Sequence, residues 1–262
     1  MAYREKVTIV RADEIATDIY EMCFSTKNIA KEAKPGQFVS VYSNDGSRLL
    51  PRPISICGIE GDTLRIVYRA VGKGTQEFAT MHAGQTLEVQ GPLGNGYDIS
   101  KVSKERKAIL FGGGIGIPPM LELAKQLDCE KSIVLGYRDE LFLNDEFEAY
   151  GKVYLATEDG SAGTKGNVLD AVKACGIEGD ILFACGPTPM LRAIKQYAKE
   201  NGLECYLSLE EKMACGIGAC LACVCKSTQV DDHSKVHNKR VCKEGPVFNA
   251  EEVAVSYTHL RA

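Results

Sequence analysis

The sequence predicts a multidomain protein of mixed β and α/β class: an N-terminal antiparallel β-barrel, a doubly wound parallel sheet and a small cysteine-rich domain. Two changes along the chain carry this prediction. Short apolar or alternating runs between turn residues fill residues 1–100, and apolar runs alternating with helical patterns fill residues 101–207. Residues 208–255 have few regular signals and hold a dense group of cysteines. We therefore expect three domains with these bounds, followed by a tail at residues 256–262.

The first segment has the pattern of short strands joined by tight turns. Turn signals such as Pro35-Gly36 and Asn44-Asp45-Gly46 punctuate it, and several short strands of this kind form a sandwich or a small barrel. The predicted strands are Val7–Val10, Ile19–Phe24, Gln37–Tyr42, Ile54–Gly58, Thr63–Val71 and Thr86–Gln90.

The second segment alternates strand and helix patterns, which is typical of a parallel sheet with helices on both faces. The third segment is short and loop-rich, and a bound metal group could hold such a domain together. The strands predicted in the second segment are Ala108–Phe111, Ser132–Tyr137, Lys152–Ala156 and Asp180–Cys185. The helices predicted there are Pro118–Leu127, Asn144–Tyr150, Asn167–Ala174 and Pro189–Glu200.

Composition places the chain among ordinary globular proteins. Its 262 residues are 45% hydrophobic and 25% charged, with a formal net charge of −4, which gives no reason to expect nucleic acid or an anionic membrane as a partner. No run approaches the roughly 18 apolar residues of a membrane span, and the first residues lack the apolar core of a signal peptide. The 11 cysteines, many of them in apolar stretches, indicate reduced thiols and hence the cytoplasm.

Four cysteines carry the strongest chemical signal. Cys215, Cys220, Cys223 and Cys242 have the spacing C-x4-C-x2-C…C, which is the plant-type spacing for a [2Fe–2S] cluster. Two glycines inside the first interval let the backbone curl close to the sulfides. Four thiolates also suit a structural zinc ion, although zinc sites usually have two separate C-x2–4-C pairs. A disulfide framework is the third alternative, and a reducing compartment argues against it.

Two motifs of the first segment combine cations, hydroxyls and glycines. The stretch Leu50–Ile56 offers the planar guanidinium of Arg52, which suits phosphate, and the hydroxyl of Ser55, which can donate to a flavin ring or ribityl chain. The stretch Val67–Thr75 ends a strand in a glycine-rich turn whose N–H groups can face a pyrophosphate, and Thr75 could start and cap a helix. An exposed arginine in a proline turn and a plain hairpin turn are the alternatives.

Two further motifs lie at strand ends of the second segment. The stretch Gly112–Gly116 separates a strand from a helix, where phosphate-binding loops occur, and Ala184–Leu191 places Cys185 before a Gly-Pro turn. A tight strand–helix turn is the alternative for the first, and a small buried thiol is the alternative for Cys185. The stretch Gly136–Glu140 contains an arginine and two acids, so it does not decide between NADP and NAD.

Together these motifs resemble the ferredoxin-reductase superfamily. Its flavin domain carries an R-x-[YFP]-[ST] motif and a glycine-rich phosphate loop, and its nicotinamide domain carries GGG-x-G-x-[PT]-P and CGP-x-x-M motifs. The FAD-binding positions that the resemblance implies are Arg52, Pro53, Ile54, Ser55, Arg69, Ala70, Val71, Gly74 and Thr75. The positions that it implies for the nicotinamide coenzyme are Gly113, Gly114, Cys185, Gly186 and Pro187.

The order of flavin, nicotinamide and [2Fe–2S] domains is similar to that of the electron-transfer subunits of NAD-dependent (class 1B) dihydroorotate dehydrogenases. The most specific stretches are Gly91–Gly96, Leu209–Cys223 and Arg240–Phe248. The resemblance implies a partner subunit that holds FMN and oxidises dihydroorotate to orotate in pyrimidine biosynthesis, in a heterotetramer of two copies of each chain. It also implies that electrons pass through [2Fe–2S] and FAD to NAD+, with no catalytic side chain in this subunit. Residues 256–262 match nothing expected there and resemble translated adapter sequence.

Two other functions stay open at this point. A subunit of a ferredoxin–NAD(P) or sulfur oxidoreductase would use the same scaffold with a different partner. A zinc-stabilised NAD(P)-binding regulator without flavin would not be an enzyme. The co-purifying partner separates the first alternative from the main interpretation, and metal content with an absorbance spectrum separates the second.

Overall fold

The computed structural model describes residues 2–230 and 235–255. Within these ranges the strands form a closed barrel of six strands, a seven-stranded sheet and a two-stranded ribbon. The predicted tail at 256–262 lies outside the described residues. None of the helices in the described parts of the chain is both long enough and apolar enough to span a membrane.

The first segment forms an antiparallel barrel, so the barrel prediction is confirmed. Its strands are β1 (Tyr3–Ala16), β2 (Ile19–Ser25), β3 (Phe38–Tyr42), β4 (Arg52–Glu60), β5 (Thr63–Arg69) and β6 (Thr86–Leu93), and its helices are α1 (Ile29–Glu32) and α2 (Lys73–Ala79). The order around the barrel is β1-β2-β5-β4-β3-β6, and β6 closes on β1. Side chains that alternate along each strand fill the interior, with Phe24, Ile56 and Ile66 fully buried. Strand β1 extends beyond the predicted Val7–Val10 because its flanking residues also pair with β2 and β6.

The second segment forms the predicted doubly wound parallel sheet, with apolar clusters on both faces. Its strands are β7 (Lys107–Gly113), β8 (Glu130–Tyr137), β9 (Lys152–Thr157), β10 (Thr164–Lys165), β11 (Ile181–Cys185) and β12 (Glu204–Ser208). Its helices are α3 (Pro118–Gln126), α4 (Asn144–Phe147), α5 (Val168–Cys175) and α6 (Thr188–Asn201). The sheet has the order β10-β9-β8-β7-β11-β12. After β7 the chain adds β8, β9 and β10 on one side and then β11 and β12 on the other, so the crevice of the sheet lies between β7 and β11.

The third segment contributes short strands and fills the space beside the barrel. Its strands are β13 (Val224–Lys226), β14 (Asn238–Arg240) and β15 (Val247–Asn249). Although β15 lies within the predicted third segment, it pairs antiparallel with β12 and extends the sheet of the second. Phe38 and Leu93 of the barrel bury their side chains in one cluster with Cys223, Cys242 and Phe248.

Asn95 connects the barrel to the third segment through the loop that follows β6. Its backbone N–H donates to the carbonyl oxygen of Gly245 at 2.6 Å. Its side-chain amide donates to the carbonyl oxygens of Lys243 at 3.2 Å and Glu244 at 3.1 Å. The chain between Cys242 and β15 is therefore held directly on the barrel.

A second connection joins the barrel to the parallel sheet at Ile59. Glu122 of α3 is 2% exposed, and its carboxylate accepts the backbone N–H of Ile59 at 2.9 Å. Lys125, one turn further along α3, donates to the carbonyl oxygen of Ile59 at 3.2 Å. Helix α3 thus satisfies both backbone groups of Ile59 and fixes where the sheet sits on the barrel.

We expect Glu122→Ala to lower the free energy of unfolding by about 1–3 kcal/mol, because the N–H of Ile59 loses its acceptor in a partly buried position. Glu122→Gln keeps an oxygen at that place and is the matched control, with a smaller loss. Equilibrium denaturation followed by circular dichroism measures both variants. An alanine variant that unfolds at the same denaturant concentration as the glutamine variant would contradict this role.

Candidate functional site

The two motifs of the barrel meet at Arg52 and Gly74. A methyl group on Gly74 would lie 2.2 Å from Nε and 2.5 Å from Cζ of Arg52, so the guanidinium rests on the glycine backbone. Arg52 also donates to the carbonyl oxygen of Leu50. The fold thereby brings a fixed cation to the start of α2, where N–H groups and a positive charge can bind a phosphate together.

Thr75 stabilises the turn that precedes α2. Its hydroxyl oxygen accepts the backbone N–H groups of Val71 at 3.1 Å and Gly72 at 3.2 Å. The helix begins at Lys73, so Thr75 caps the turn from the third helical position and does not start the helix. The turn is therefore shaped by the chain itself before any ligand binds.

The other positions predicted for FAD lie at the same end of the barrel, because β4 and β5 run antiparallel and the start of one meets the end of the other. Along β4, Pro53 is exposed and Ser55 half-buried, while Ile54 between them points into the core. At the end of β5, Arg69 and Val71 are exposed and Ala70 is half-buried. The residues are thus gathered at one surface, with Ile54 packed beneath it.

The two glycine motifs of the parallel sheet pack against each other at the crevice between β7 and β11. A methyl group on Gly113 would lie 2.5 Å from Sδ of Met190, and one on Gly186 would lie 2.4 Å from Cε of the same side chain. Gly114 has φ +52°, and a methyl group there would meet no atom within 4 Å, so its backbone faces open space. Ligands of doubly wound sheets bind at this place, and the two loops form its walls.

Cys185 ends β11 at the same crevice. Burial raises the pKa of its thiol to about 12, although a hydrogen bond with Ser208 acts in the opposite direction. The thiol is thus protonated at physiological pH and can contact a ligand only as a neutral group. The following Gly186 and Pro187 line a pocket of about 180 Å³ together with Glu210 and Cys225 of the third segment. The loop after β11 therefore faces the third segment.

The four cysteines predicted as metal ligands form two pairs. Cys215 is hydrogen-bonded to Cys220, and Cys242 is hydrogen-bonded to Cys223. Two thiols for each of two irons is the donor set that a [2Fe–2S] cluster requires. Within the described ranges, no three His, Cys, Asp or Glu side chains converge as the ligands of a single metal ion would.

Backbone amides of the cysteine loop point at the sulfurs. The N–H of Ala219 donates to Sγ of Cys215 at 3.3 Å, and the N–H of Gly218 donates to Sγ of Cys242 at 3.1 Å. Burial alone would raise the pKa of Cys215, but hydrogen bonds from the loop amides and from Cys220 outweigh it and lower that pKa to about 6. At Cys215 the loop amides thus stabilise negative charge on sulfur, as a metal-bound thiolate needs. At Cys242, burial and the neighbouring Cys223 outweigh the N–H of Gly218 and raise the pKa of the thiol to about 12.

The cysteine loop lies directly on the barrel, beside the first flavin motif. Gly216 and Gly218 have φ of +69° and +84°, and this left-handed backbone curls the loop around the sulfurs. A methyl group on Gly216 would lie 3.0 Å from Oγ of Ser40. Ser40 is the register partner of Pro53 in the adjacent strand β4. The predicted metal and flavin positions are therefore neighbours across a single strand.

Sequence reasoning missed several residues that shape these sites. Met190 was visible only as the last position of the CGP-x-x-M motif, and Asn95 only as part of the stretch Gly91–Gly96, without a role. Ser208 had no signal of its own. Each acts through contacts between segments that are far apart in the sequence. Only pairing β12 with β11 or docking the third segment on the barrel reveals them.

Comparison with known proteins supports this arrangement. The family model "Iron-sulfur cluster binding domain of dihydroorotate dehydrogenase B" matches residues 210–254. The chain is 45% identical to the "Dihydroorotate dehydrogenase B (NAD(+)), electron transfer subunit" of Fusobacterium nucleatum subsp. nucleatum, over 96% of this chain and 98% of that protein. It is 44% identical to the protein of the same name from a Geobacillus species, over 97% of this chain and all of that protein.

Solved structures share the fold. The NADH-dependent reduced ferredoxin-NADP oxidoreductase structure superposes with a TM-score of 0.83 at 32% identity, covering 95% of this chain and 89% of that one. The ferredoxin NADP+ reductase from Neisseria gonorrhoeae, with bound FAD and NADP, superposes with a TM-score of 0.64 at 17% identity, covering 76% of this chain and 92% of that one. The second likeness concerns the fold alone.

The contact between Arg52 and Gly74 predicts a specific effect on flavin binding. In Gly74→Ala the new methyl group would displace the guanidinium, so we expect the affinity for FAD to fall at least about tenfold, or about 1.4 kcal/mol. Gly72→Ala is the matched control, since its methyl group would meet nothing within 4 Å. Titration of the flavin-free protein with FAD, followed by fluorescence, measures both affinities. Equal affinities in the two variants would contradict the assignment.

Proposed function

Since the chain belongs to the family of dihydroorotate dehydrogenase B (NAD+) electron-transfer subunits, we propose that it carries electrons from a dihydroorotate-oxidising partner to NAD+. It is an oxidoreductase subunit. The observation that carries the proposal is the contact of the cysteine loop with the barrel strand next to the flavin motif, at Gly216 and Ser40. It supports a path between a metal cluster and a flavin within one chain.

The residues fit the cofactors that this function requires. When bound, a [2Fe–2S] cluster carries one electron, FAD exchanges one or two, and NAD+ accepts a hydride. Arg52 and the turn at Gly74 would hold the phosphates of FAD, and Ser55 would donate to its ring or ribityl chain. Gly113 and Gly114 would approach the pyrophosphate of NAD+, with the neutral thiol of Cys185 beside the nicotinamide.

The metal ligands in the proposal are Cys215 and Cys220 on one iron and Cys223 and Cys242 on the other. The N–H groups of Ala219 and Gly218, which donate to the sulfurs of Cys215 and Cys242, would stabilise the charge on the bound thiolates. The family model for an iron–sulfur domain favours this set over the zinc-stabilised regulator.

The partner in the proposal is a catalytic subunit that binds FMN and dihydroorotate, and the name of the relatives as electron-transfer subunits supports it. Cys220 is exposed and lies between Ile217, which is 49% exposed, and Leu221, which is 57% exposed. Apolar side chains around an exposed metal ligand suit a protein interface. We place the catalytic subunit there, in a heterotetramer of two copies of each chain. The eleven free thiols support a cytoplasmic location.

A ferredoxin–NAD(P) oxidoreductase subunit is the second candidate. The structural likeness to a NADH-dependent reduced ferredoxin-NADP oxidoreductase, at 32% identity and a TM-score of 0.83, favours it. The 45% identity to the dihydroorotate dehydrogenase subunit, over 98% of that protein, places it second.

Reconstitution with a family catalytic subunit tests the function. We expect the purified complex to reduce NAD+ when dihydroorotate is added, which the rise in NADH absorbance reports. Cys220→Ser should abolish this reaction because one iron loses a ligand, while the variant keeps its FAD. Cys175→Ser, which removes an exposed cysteine on α5, is the control that keeps the activity.

The outcomes separate the two candidates. A complex that forms orotate only with an artificial acceptor, and exchanges electrons between NADH and ferredoxin, would support the second candidate. A Cys220→Ser protein with unchanged cluster absorbance would show that the ligand set is wrong.

A further inference from the structure

Arg240 lies behind the cysteine loop and holds it through a backbone carbonyl. Its Nη1 donates to the carbonyl oxygen of Gly218 at 2.9 Å. That carbonyl belongs to the same peptide group as the N–H of Ala219, which donates to Sγ of Cys215 at 3.3 Å. The Gly218–Ala219 peptide group therefore accepts a hydrogen bond from Arg240 at its oxygen and donates one to the predicted metal ligand Cys215 through its N–H.

The guanidinium is fixed in this position by Glu244. The carboxylate accepts from Nε of Arg240 at 3.1 Å, from Nη2, and from the backbone N–H of the same residue at 2.7 Å. The arginine and glutamate side chains are 27% and 33% exposed, so water screens this pair only partly.

A hydrogen bond from a cation to a carbonyl oxygen polarises the whole peptide group. The N–H of that group becomes a stronger donor, because hydrogen bonds in a chain reinforce one another. A stronger N–H donor to a metal-bound sulfur stabilises added negative charge, and hydrogen bonds to the sulfurs are one of the factors that set cluster potentials. Uptake of one electron makes the cluster and its four thiolates one charge more negative.

We propose that Arg240 is a positioning residue that raises the reduction potential of the cluster by polarising the Gly218–Ala219 peptide toward Cys215. The inference rests on the proposed function insofar as the four cysteines bind a [2Fe–2S] cluster. The contact with Gly218 gives a role to a cation that stands two residues before Cys242.

The test is an anaerobic redox titration of the isolated chain with its cluster, followed by electron paramagnetic resonance. At a fixed potential, Arg240→Gln should lower the ratio of reduced to oxidised cluster about tenfold, which is a shift of about 59 mV to more negative potential for one electron. Arg240→Lys should fall between this variant and the unchanged protein, because lysine keeps the charge without the planar fork.

Two further variants separate the peptide relay from simpler effects. Glu244→Gln should shift the midpoint in the opposite direction, because it removes a negative charge while the amide oxygen of glutamine still accepts from Arg240 and keeps it on Gly218. A merely loosened loop would shift both variants alike. Lys243→Gln removes the same charge as Arg240→Gln from an exposed side chain next to Cys242. Its effect should be smaller and should disappear at high salt.

Three results would overturn the proposal. The first is an intact cluster in Arg240→Gln with an unchanged midpoint, and the second is equal shifts in Arg240→Gln and Lys243→Gln. The third is an unchanged protein that binds no cluster under reconstitution with iron and sulfide, which would refute the proposed function as well. The visible spectrum of each variant, recorded before titration, distinguishes cluster loss from a shifted potential.

Discussion

The arrangement of the whole molecule depends on one short segment, Val241–Asn249, that is held from three sides. Its first part places Cys242 beside Cys223 in the metal pair. Its middle is clasped by Asn95 of the barrel, and its end joins the parallel sheet as β15. Each of these three contacts consists of a few hydrogen bonds. Together they fix the positions of the barrel, the sheet and the cysteine loop relative to one another. Electron transfer between separate groups needs such fixed positions, and here a single returning stretch provides them.

The contact of α3 with Ile59 adds a second constraint between the barrel and the sheet, and Tyr97 adds a third. The tyrosine is 3% exposed, packs edge-on against Phe183 of β11 and places its hydroxyl 3.4 Å from the carbonyl oxygen of Ala184. The predicted flavin surface on the barrel and the predicted coenzyme crevice at Cys185 are thereby joined through buried side chains. In the proposed function the task of the chain is to hold bound groups close together, and these buried contacts between the barrel and the sheet serve that task.

Much of the fold could be predicted from the sequence, because period-two and helical patterns are local. The six barrel strands and the alternating elements of the sheet follow from them, although α4 ends at Phe147 and not at the predicted Tyr150. The four cysteines were visible from spacing alone. Their division into two pairs, the guanidinium of Arg52 on Gly74 and the role of Arg240 were not, because each depends on which distant segments meet. The pairing of β15 with β12, in the sheet of the second segment, could not be predicted from the sequence for the same reason.

We infer that the predicted coenzyme crevice, the predicted flavin surface and the cysteine loop form one electron path within this chain. Anaerobic addition of NADH to the isolated chain loaded with FAD and the cluster, without any partner subunit, tests this path. We expect the flavin absorbance to bleach and the electron paramagnetic resonance signal of a reduced [2Fe–2S] cluster to appear. A bleached flavin beside a cluster that stays oxidised, although dithionite reduces it, would show that the path does not exist.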